Sequence, residues 1–264
     1  MTIRNIVRPA SIYTTPKLLQ ETLNAKRVRK WPQANILRRE SYDFDRDLFL
    51  IYPDPAVVQV ENKEKYRDLY RFFSASKPVQ RGLLEQFGVS TVPFITRRDA
   101  ADELLTKRYT KENTFIVRPM RHSGGRDYKV TIDPRDFEEG KEYLSVLFPK
   151  RREYRVIYFK GVPIITLRKR VPEGLDNTAP WNHANGSVFV TVEHELNNHL
   201  LNTTVMADLA KCPIIMNAHL IGVDILLDKK DQHYAVLEIN ACPALTIEHN
   251  LEKVKAIVQG LSAA

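Results

Sequence analysis

The chain has 264 residues, a formal net charge of +8 and two cysteines. That length supports one large domain or two modest ones, each with its own core. No apolar run is long enough to span a bilayer, no signal-peptide core opens the chain, and the cysteines make neither a disulfide framework nor a CxxC site, so a reducing cytoplasm is expected. The positive charge suits either plain solvation or an acidic partner: a nucleotide, an acidic peptide or nucleic acid.

Thr15 and Pro16 open an expected helix, KLLQETLNA, with threonine as cap and proline at its first position. The basic run KRVRK at 26–30 reads as a charged helix end and loop, with contact to nucleic acid as the less favoured alternative. Phe49 to Tyr52 and Val57 to Val60 read as short strands. The helix KEKYRDLYRFFSA follows, with Tyr66, Leu69, Tyr70 and Phe73 on one face. After Lys77 a second helix carries Val79, Leu83, Leu84 and Phe87 and ends at Gly88, and VSTVPFI then reads as a strand. A helix over Asp99 to Lys107 precedes the strand FIVRP (115–119), the loop MRHSGGRDYK and the strand KVTID. Two adjacent glycines between strands leave backbone N–H groups free to fold over phosphate, and Arg118, Arg121, His122 and Arg126 add charge, although most such hairpin loops are simply turns. Leu144 to Phe148 is an apolar run. YRVIYF and VPIITLRKRV form a hairpin about Lys160-Gly161 that carries Glu153, Arg155, Arg168 and Arg170. The irregular loop 172–186 is placed to close over a site. A strand, SVFVTVE, a helix over Thr203 to Lys211 and a terminal amphipathic helix from Thr246 complete the reading.

The most informative stretch is AHLIGVDILLDKKDQHYAVLEINACPALT, residues 218–246. Two alternating runs flank the polar loop Asp228 to His233, and a hairpin centred on Asp231 pairs Asp224 with Glu238. Residues two apart share a face, so Asp224, Glu238 and Asn240 converge on one side and the aliphatic residues cover the other. Opposed carboxylates repel, and in a sheltered place one of them holds a proton unless a cation intervenes. Hard oxygen ligands of this kind suit Mg²⁺ or Mn²⁺; the plainer alternative is a solvated strand face on which two acids line up. There is no GxxxxGK[ST] phosphate loop and no GxSxG elbow. His194 and His199 are five apart, which turns them about 140° from each other on a helix, so they make no zinc pair.

In order along the chain, these pieces resemble the ATP-grasp carboxylate–amine ligases, in particular the RimK-like branch with its small phage-encoded members. The resemblance covers roughly residues 75–250. Glu238-Ile-Asn240-Ala-Cys-Pro243 matches the family's E-[VI]-N-x-x-P, with Asp224 of G-V-D-I at the expected distance before it. The resemblance implies an α+β ATP-grasp fold, two α+β subdomains clasping ATP, with residues 76–145 carrying the glycine-rich flap and 146–264 the Mg²⁺ site. A small α/β domain over 1–75 would precede them. Asp224, Glu238 and Asn240 are then metal ligands. Lys77 stands as the first nucleotide lysine, and Arg118 replaces the usual second one, keeping the charge while changing the geometry. His122, Ser123, Gly124 and Gly125 form the flap; Val146, Leu147 and Phe148 meet adenine through the backbone, and Glu153 meets the ribose. Arg168, Arg155 and Asn182 are the implied substrate-side and catalytic groups.

The implied reaction joins a carboxylate to an amine (of an amino acid, a peptide or a protein tail) through an acyl phosphate, releasing ADP and phosphate, in a bacterial or phage-infected cytoplasm. Related enzymes are often homo-oligomers. A catalytically reduced ATP-grasp protein that binds nucleotide or nucleic acid is the alternative.

Overall fold

The computed structural model describes residues 5–9, 27–31, 41–43, 48–49, 52, 55, 59–61, 63–107, 114–121, 127–175, 179–192, 201–228, 230, 232–241 and 243. The expected helix after Thr15, the glycine-rich flap at 122–126, the His194 to His199 stretch and the terminal helix from Thr246 lie outside them.

The N-terminal part supplies five short strands, β1 (Asn5–Pro9), β2 (Arg27–Trp31), β3 (Ser41–Asp43), β4 (Leu48–Phe49) and β5 (Gln59–Glu61). They make two parallel sheets, ordered β2-β1-β4 and β3-β5. Much of the basic run expected as a helix end is therefore strand β2, paired residue for residue with β1. Val28 and Trp31 are strand formers, and pairing with β1 outweighs the charge of the residues between them.

Helix α1 (Lys63–Ser74) buries Tyr66, Leu69 and Phe72, the i, i+3, i+6 stripe of an amphipathic helix. Helix α2 (Lys77–Gln86) starts with proline at its first turn, where the missing N–H costs nothing. Its buried face is Pro78, Gln80, Arg81 and Leu84, while Val79, expected inside, is 51% exposed. Gly88 ends the turn with φ of 77°, as expected for a helix-terminating glycine.

Four antiparallel strands follow, β6 (Phe94–Ile95), β7 (Phe115–Pro119), β8 (Lys129–Thr131) and β9 (Glu142–Val146), in the order β6-β9-β7-β8, with helix α3 (Ala101–Thr106) beside them. Only the end of the expected strand VSTVPFI joins this sheet. Pro93 has no N–H to offer a ladder, and Thr91 instead makes an isolated parallel bridge to Val236.

The second antiparallel sheet has five strands, ordered β12-β11-β10-β13-β14. They are β10 (Lys150–Phe159), β11 (Val162–Arg170), β12 (Val188–Thr191), β13 (Leu220–Asp228) and β14 (Tyr234–Asn240). One face packs Tyr154, Val156, Val223, Ile225, Val236 and Ile239 on α1 and on helices α4 (Met206–Ala210) and α5 (Pro213–Asn217). His219 ties the N-terminal part to this core: its Nδ1 accepts the Phe49 N–H at 2.9 Å, and its own N–H donates to the Tyr52 hydroxyl at 3.1 Å. A second core runs from the four-stranded sheet (Phe115, Val117, Leu144, Val146) across to Leu226 and Ala235 on the other face of the five-stranded sheet. That face holds the candidate site. No helix among the described residues is long and apolar enough to cross a membrane.

Candidate active site

Hairpin β13–β14 sets Asp224 opposite Glu238 and Gly222 opposite Asn240, so the three oxygen-bearing side chains share one face, as the alternation requires. Next to the turn the register shifts, because Ile225 pairs with Val236 and leaves Leu237 as an extra residue. This β-bulge turns Leu237 toward the side of Glu238, and Leu226 and Leu237 line a cleft there instead of joining the opposite core. The aliphatic residues thus do not all cover the far face, which corrects the strict alternation expected from sequence.

Asp224 is 2% exposed and is gripped from the neighbouring strand by Arg155, whose Nε and Nη2 donate to its two carboxylate oxygens at 2.6 and 2.7 Å. The grip follows from strand register, Arg155 lying directly across from Asp224. Such a two-point pair is the strong form of the ion pair. Burial nevertheless pushes the Asp224 carboxyl up to about 6, against the lowering pull of Arg155. Glu238 accepts from Asn240 Nδ2 at 3.0 Å and lies 3.5 Å from Lys77 Nζ at the start of α2. The Lys77 N–H donates to the Met120 carbonyl at 3.2 Å, which fixes the helix start against the end of β7.

Glu153, 2% exposed, sits on the same face two residues before Arg155, between Lys169 and Lys150; Lys150 Nζ is 3.4 Å away. Burial pulls the Lys150 ammonium down to about 8, against the raising charge of Glu153. Lys150 rests 4.1 Å from the centre of the Trp181 ring, and Arg155 and Lys169 lie over Phe189 at 4.4 and 4.6 Å. The aromatic rings offset part of the cost of sheltering these cations.

The apolar cleft beside these charges is lined by Val92, Val146, Leu147, Phe148, Leu226 and Leu237, with Arg118 and Lys150 at its polar end. Arg118 is close enough to sense the charges of Glu238 and Arg81, and burial pulls its guanidinium down. The cavity measures about 60 Å³, less than half of the roughly 150 Å³ that accommodates benzene.

No family model and no curated protein sequence matches the chain. Its architecture is shared with solved structures. D-cycloserine synthetase DcsG superimposes over 98% of this chain and 99% of that one, with 15% identity and a TM-score of 0.60. The ATP-grasp ligase PsnB in complex with a minimal precursor covers 92% of each chain at 14% identity, TM-score 0.57. N5-carboxyaminoimidazole synthetase from Staphylococcus aureus complexed with ADP aligns over 92% of this chain and 72% of its own, at 11% identity and a TM-score of 0.58. The fold is ATP-grasp.

On this ATP-grasp scaffold the structure brings together most of the residues singled out in the sequence. Lys77 meets Glu238, Arg155 meets Asp224, and Arg118, Val146, Leu147 and Phe148 line the cleft. His122, Ser123, Gly124 and Gly125 lie outside the described residues. Arg168 is placed opposite Tyr154, which is packed in the helix-side core, and so on the face away from Asp224. An unbulged hairpin closing at Lys160-Gly161 would pair Arg168 with Glu153. The register shift after Ile157 leaves Ile164 as an extra residue and brings Lys169 to Glu153 instead. Asn182 helps to build the loop over the cleft: its Oδ1 accepts the Asn185 N–H at 3.0 Å, and Asn185 Nδ2 donates to the Pro180 carbonyl at 2.8 Å.

Lys150, Lys169 and the two aromatic platforms were not legible as site residues. Lys169 is recoverable only once the bulge is known. Gly222 has a role that alternation did not assign, because a Cβ there would lie 3.0 Å from the Pro243 side chain and 3.3 Å from Arg155 Cδ. Gly222→Val is expected to displace Arg155 from Asp224 and to lower stability by about 1–3 kcal/mol through overpacking. Chemical denaturation of the two proteins measures it.

Proposed function

We propose that the chain is an ATP-dependent ligase joining a carboxylate to an amine through an acyl phosphate. The observation that carries the reading is one sheet face with two opposed, buried or half-buried carboxylates, each already paired to a cation, beside an apolar cleft walled by two sheets. Such a face can exchange partners: the cations turn to phosphate, and the carboxylates turn to a divalent ion.

Among the described residues no three His, Cys, Asp or Glu side chains gather as a metal group. The oxygen set here is two carboxylates and a carboxamide, which suits a hard divalent cation. Asp224, Glu238 and Asn240 would hold Mg²⁺, which supplies charge neutralisation at the phosphates when bound. Lys77 and Arg118 bind the phosphates from the α2 and β7 sides. Arg155 and Lys169 reach the transferred phosphoryl group and the substrate carboxylate from the facing strands, positioned by Phe189. The aliphatic cleft holds the base and Glu153 the ribose. The substrate carboxylate oxygen attacks the γ-phosphorus and ADP leaves. The amine then attacks the acyl carbon, phosphate departs, and the nitrogen gives up a proton to form the amide. Water must be excluded throughout, because it competes for the acyl phosphate.

Proteins of the same fold include D-cycloserine synthetase DcsG, the ATP-grasp ligase PsnB complexed with a minimal precursor and the macrocyclase MdnC bound with precursor peptide MdnA. They support a ligase and leave the acid and the amine open. An ADP-release screen against amino acids, peptides and protein acceptors tests the proposal: substrate-dependent ADP with stoichiometric amide is expected, and ATP-independent binding of DNA without turnover would oppose it. Protons and metal compete for Asp224, so Mg²⁺–ATP binding is expected to weaken below about pH 6, roughly tenfold per unit well below that value. Calorimetry at pH 5 and pH 7 reads the difference.

A further inference from the structure

Helix α2 buries an arginine whose charge is poorly matched. Arg81 is 4% exposed, and among the described residues its Nε and Nη1 have no hydrogen-bond partner. Its remaining nitrogen, Nη2, reaches only the Leu237 carbonyl, at a long 3.5 Å. The guanidinium otherwise rests against two rings, 5.4 Å from the centre of Tyr143 and 6.0 Å from that of Phe94. Ring contact offsets part of the desolvation of a cation, but not two N–H donors left without acceptors.

The surroundings deepen the mismatch. Lys77 and Arg81 are four apart on α2 and so project from the same side of the helix. Arg118 on β7 is near enough to Arg81 for each to repel the other. Lys77 lies 3.5 Å from Glu238, and Arg118 is near enough to feel the charges of both Glu238 and Arg81. Two adjacent buried guanidiniums of this kind are matched by an anion between them.

We propose that Arg81 is a phosphate-binding residue: with Arg118 it holds the inner, nucleoside-proximal end of the ATP phosphate chain, leaving its ring stack to do so. The position follows from the chain itself. Leu237, whose carbonyl Arg81 touches, lines the base cleft, and the next residue is the metal-side Glu238. The anion between those two points is the start of the triphosphate. This inference rests on the nucleotide reading above.

The test compares ATP, ADP, AMP and adenosine binding, by calorimetry or by competition, in the parent chain and in Arg81→Met, which keeps the packed stem. Binding of the three phosphorylated ligands should weaken about 10- to 100-fold, adenosine should be unchanged, and the ligand-free melting temperature should hold or rise as an unpaired buried charge is removed. If Arg81→Met fails to fold, Arg81→Lys is measured instead, and the ratio of ADP to adenosine affinity should still fall. An unchanged ratio in the variant that folds overturns the assignment, and failure of both variants to fold makes Arg81 a structural element and overturns it too. A parent chain that binds adenosine and ATP equally contradicts Arg81 and the ligase reading together. A parent that prefers ATP, with the same preference in the variant, contradicts Arg81 alone.

Discussion

Replacing Glu238 by glutamine is expected to lower Mg²⁺-dependent ADP formation by about 10³-fold, equivalent to roughly 4 kcal/mol of lost transition-state stabilisation. The carboxamide keeps the size of the side chain and one oxygen but loses the negative charge. Because Glu238 is only half-buried, with its side chain 28% exposed, the fold should tolerate the change within about 1 kcal/mol. The loss should appear in turnover while the denaturation midpoint stays put. A coupled assay of ADP release, run beside a urea melt, separates the two. Turnover within a few fold of the parent would show that Glu238 does not serve the phosphates.

The second large effect concerns stability. Arg155→Met removes the partner of a buried carboxylate, which then keeps its proton, so the cost should be about 1.4 kcal/mol at pH 7 and about 3 kcal/mol at pH 8, roughly 1.4 kcal/mol for each pH unit above 6. The deficit should depend on pH in a defined direction. Asp224 is already raised to about 6 by burial, and losing Arg155 raises it further. With the folded value above the unfolded one, the folded state holds the extra proton. The proton-linked stability is then complete below the unfolded carboxylate range near 4 and drains away as pH rises through the folded value. Arg155→Met should therefore be nearly as stable as the parent at pH 4.5 and far less stable at pH 8. Adding Asp224→Asn should recover most of the loss, since no buried charge then remains. Urea denaturation across that pH range checks both, and a deficit independent of pH would place the destabilisation in packing over Phe189 rather than in charge.

The site was partly legible because strand alternation is a strong constraint. Asp224, Glu238 and Asn240 fall on one face for a hairpin centred on Asp231, and Asp224 does pair with Glu238, although the pairs nearer the turn are centred half a residue earlier and the extra residue Leu237 restores the register. What escaped is what one extra residue does. The bulge at Leu237 moved aliphatic residues onto the face of Asp224 and Glu238, and the bulge at Ile164 exchanged Arg168 for Lys169 beside Glu153. Neither bulge has a sequence mark such as glycine at the extra position, so alternation alone runs past it. Helix α2 failed for a related reason. Hydrophobicity placed Val79 inside, whereas the helix buries Gln80, which donates to the Ala75 carbonyl, and Arg81, which reaches β14, because tertiary contacts outweigh propensity there. The N-terminal strands were hidden by charge: a run rich in lysine and arginine reads as a solvated end, although in β2 it pairs along its whole length with β1.

Calorimetric titration of ATP into the chain, with and without Mg²⁺, and repeated on Asp224→Asn, bears most directly on the opposed carboxylates. Binding in the parent should strengthen at least tenfold with Mg²⁺, and Asp224→Asn should lose that gain while retaining the metal-free affinity. Equal affinity with and without Mg²⁺ in the parent, or a gain that survives in Asp224→Asn, would contradict a metal-bearing nucleotide site at the β13–β14 hairpin.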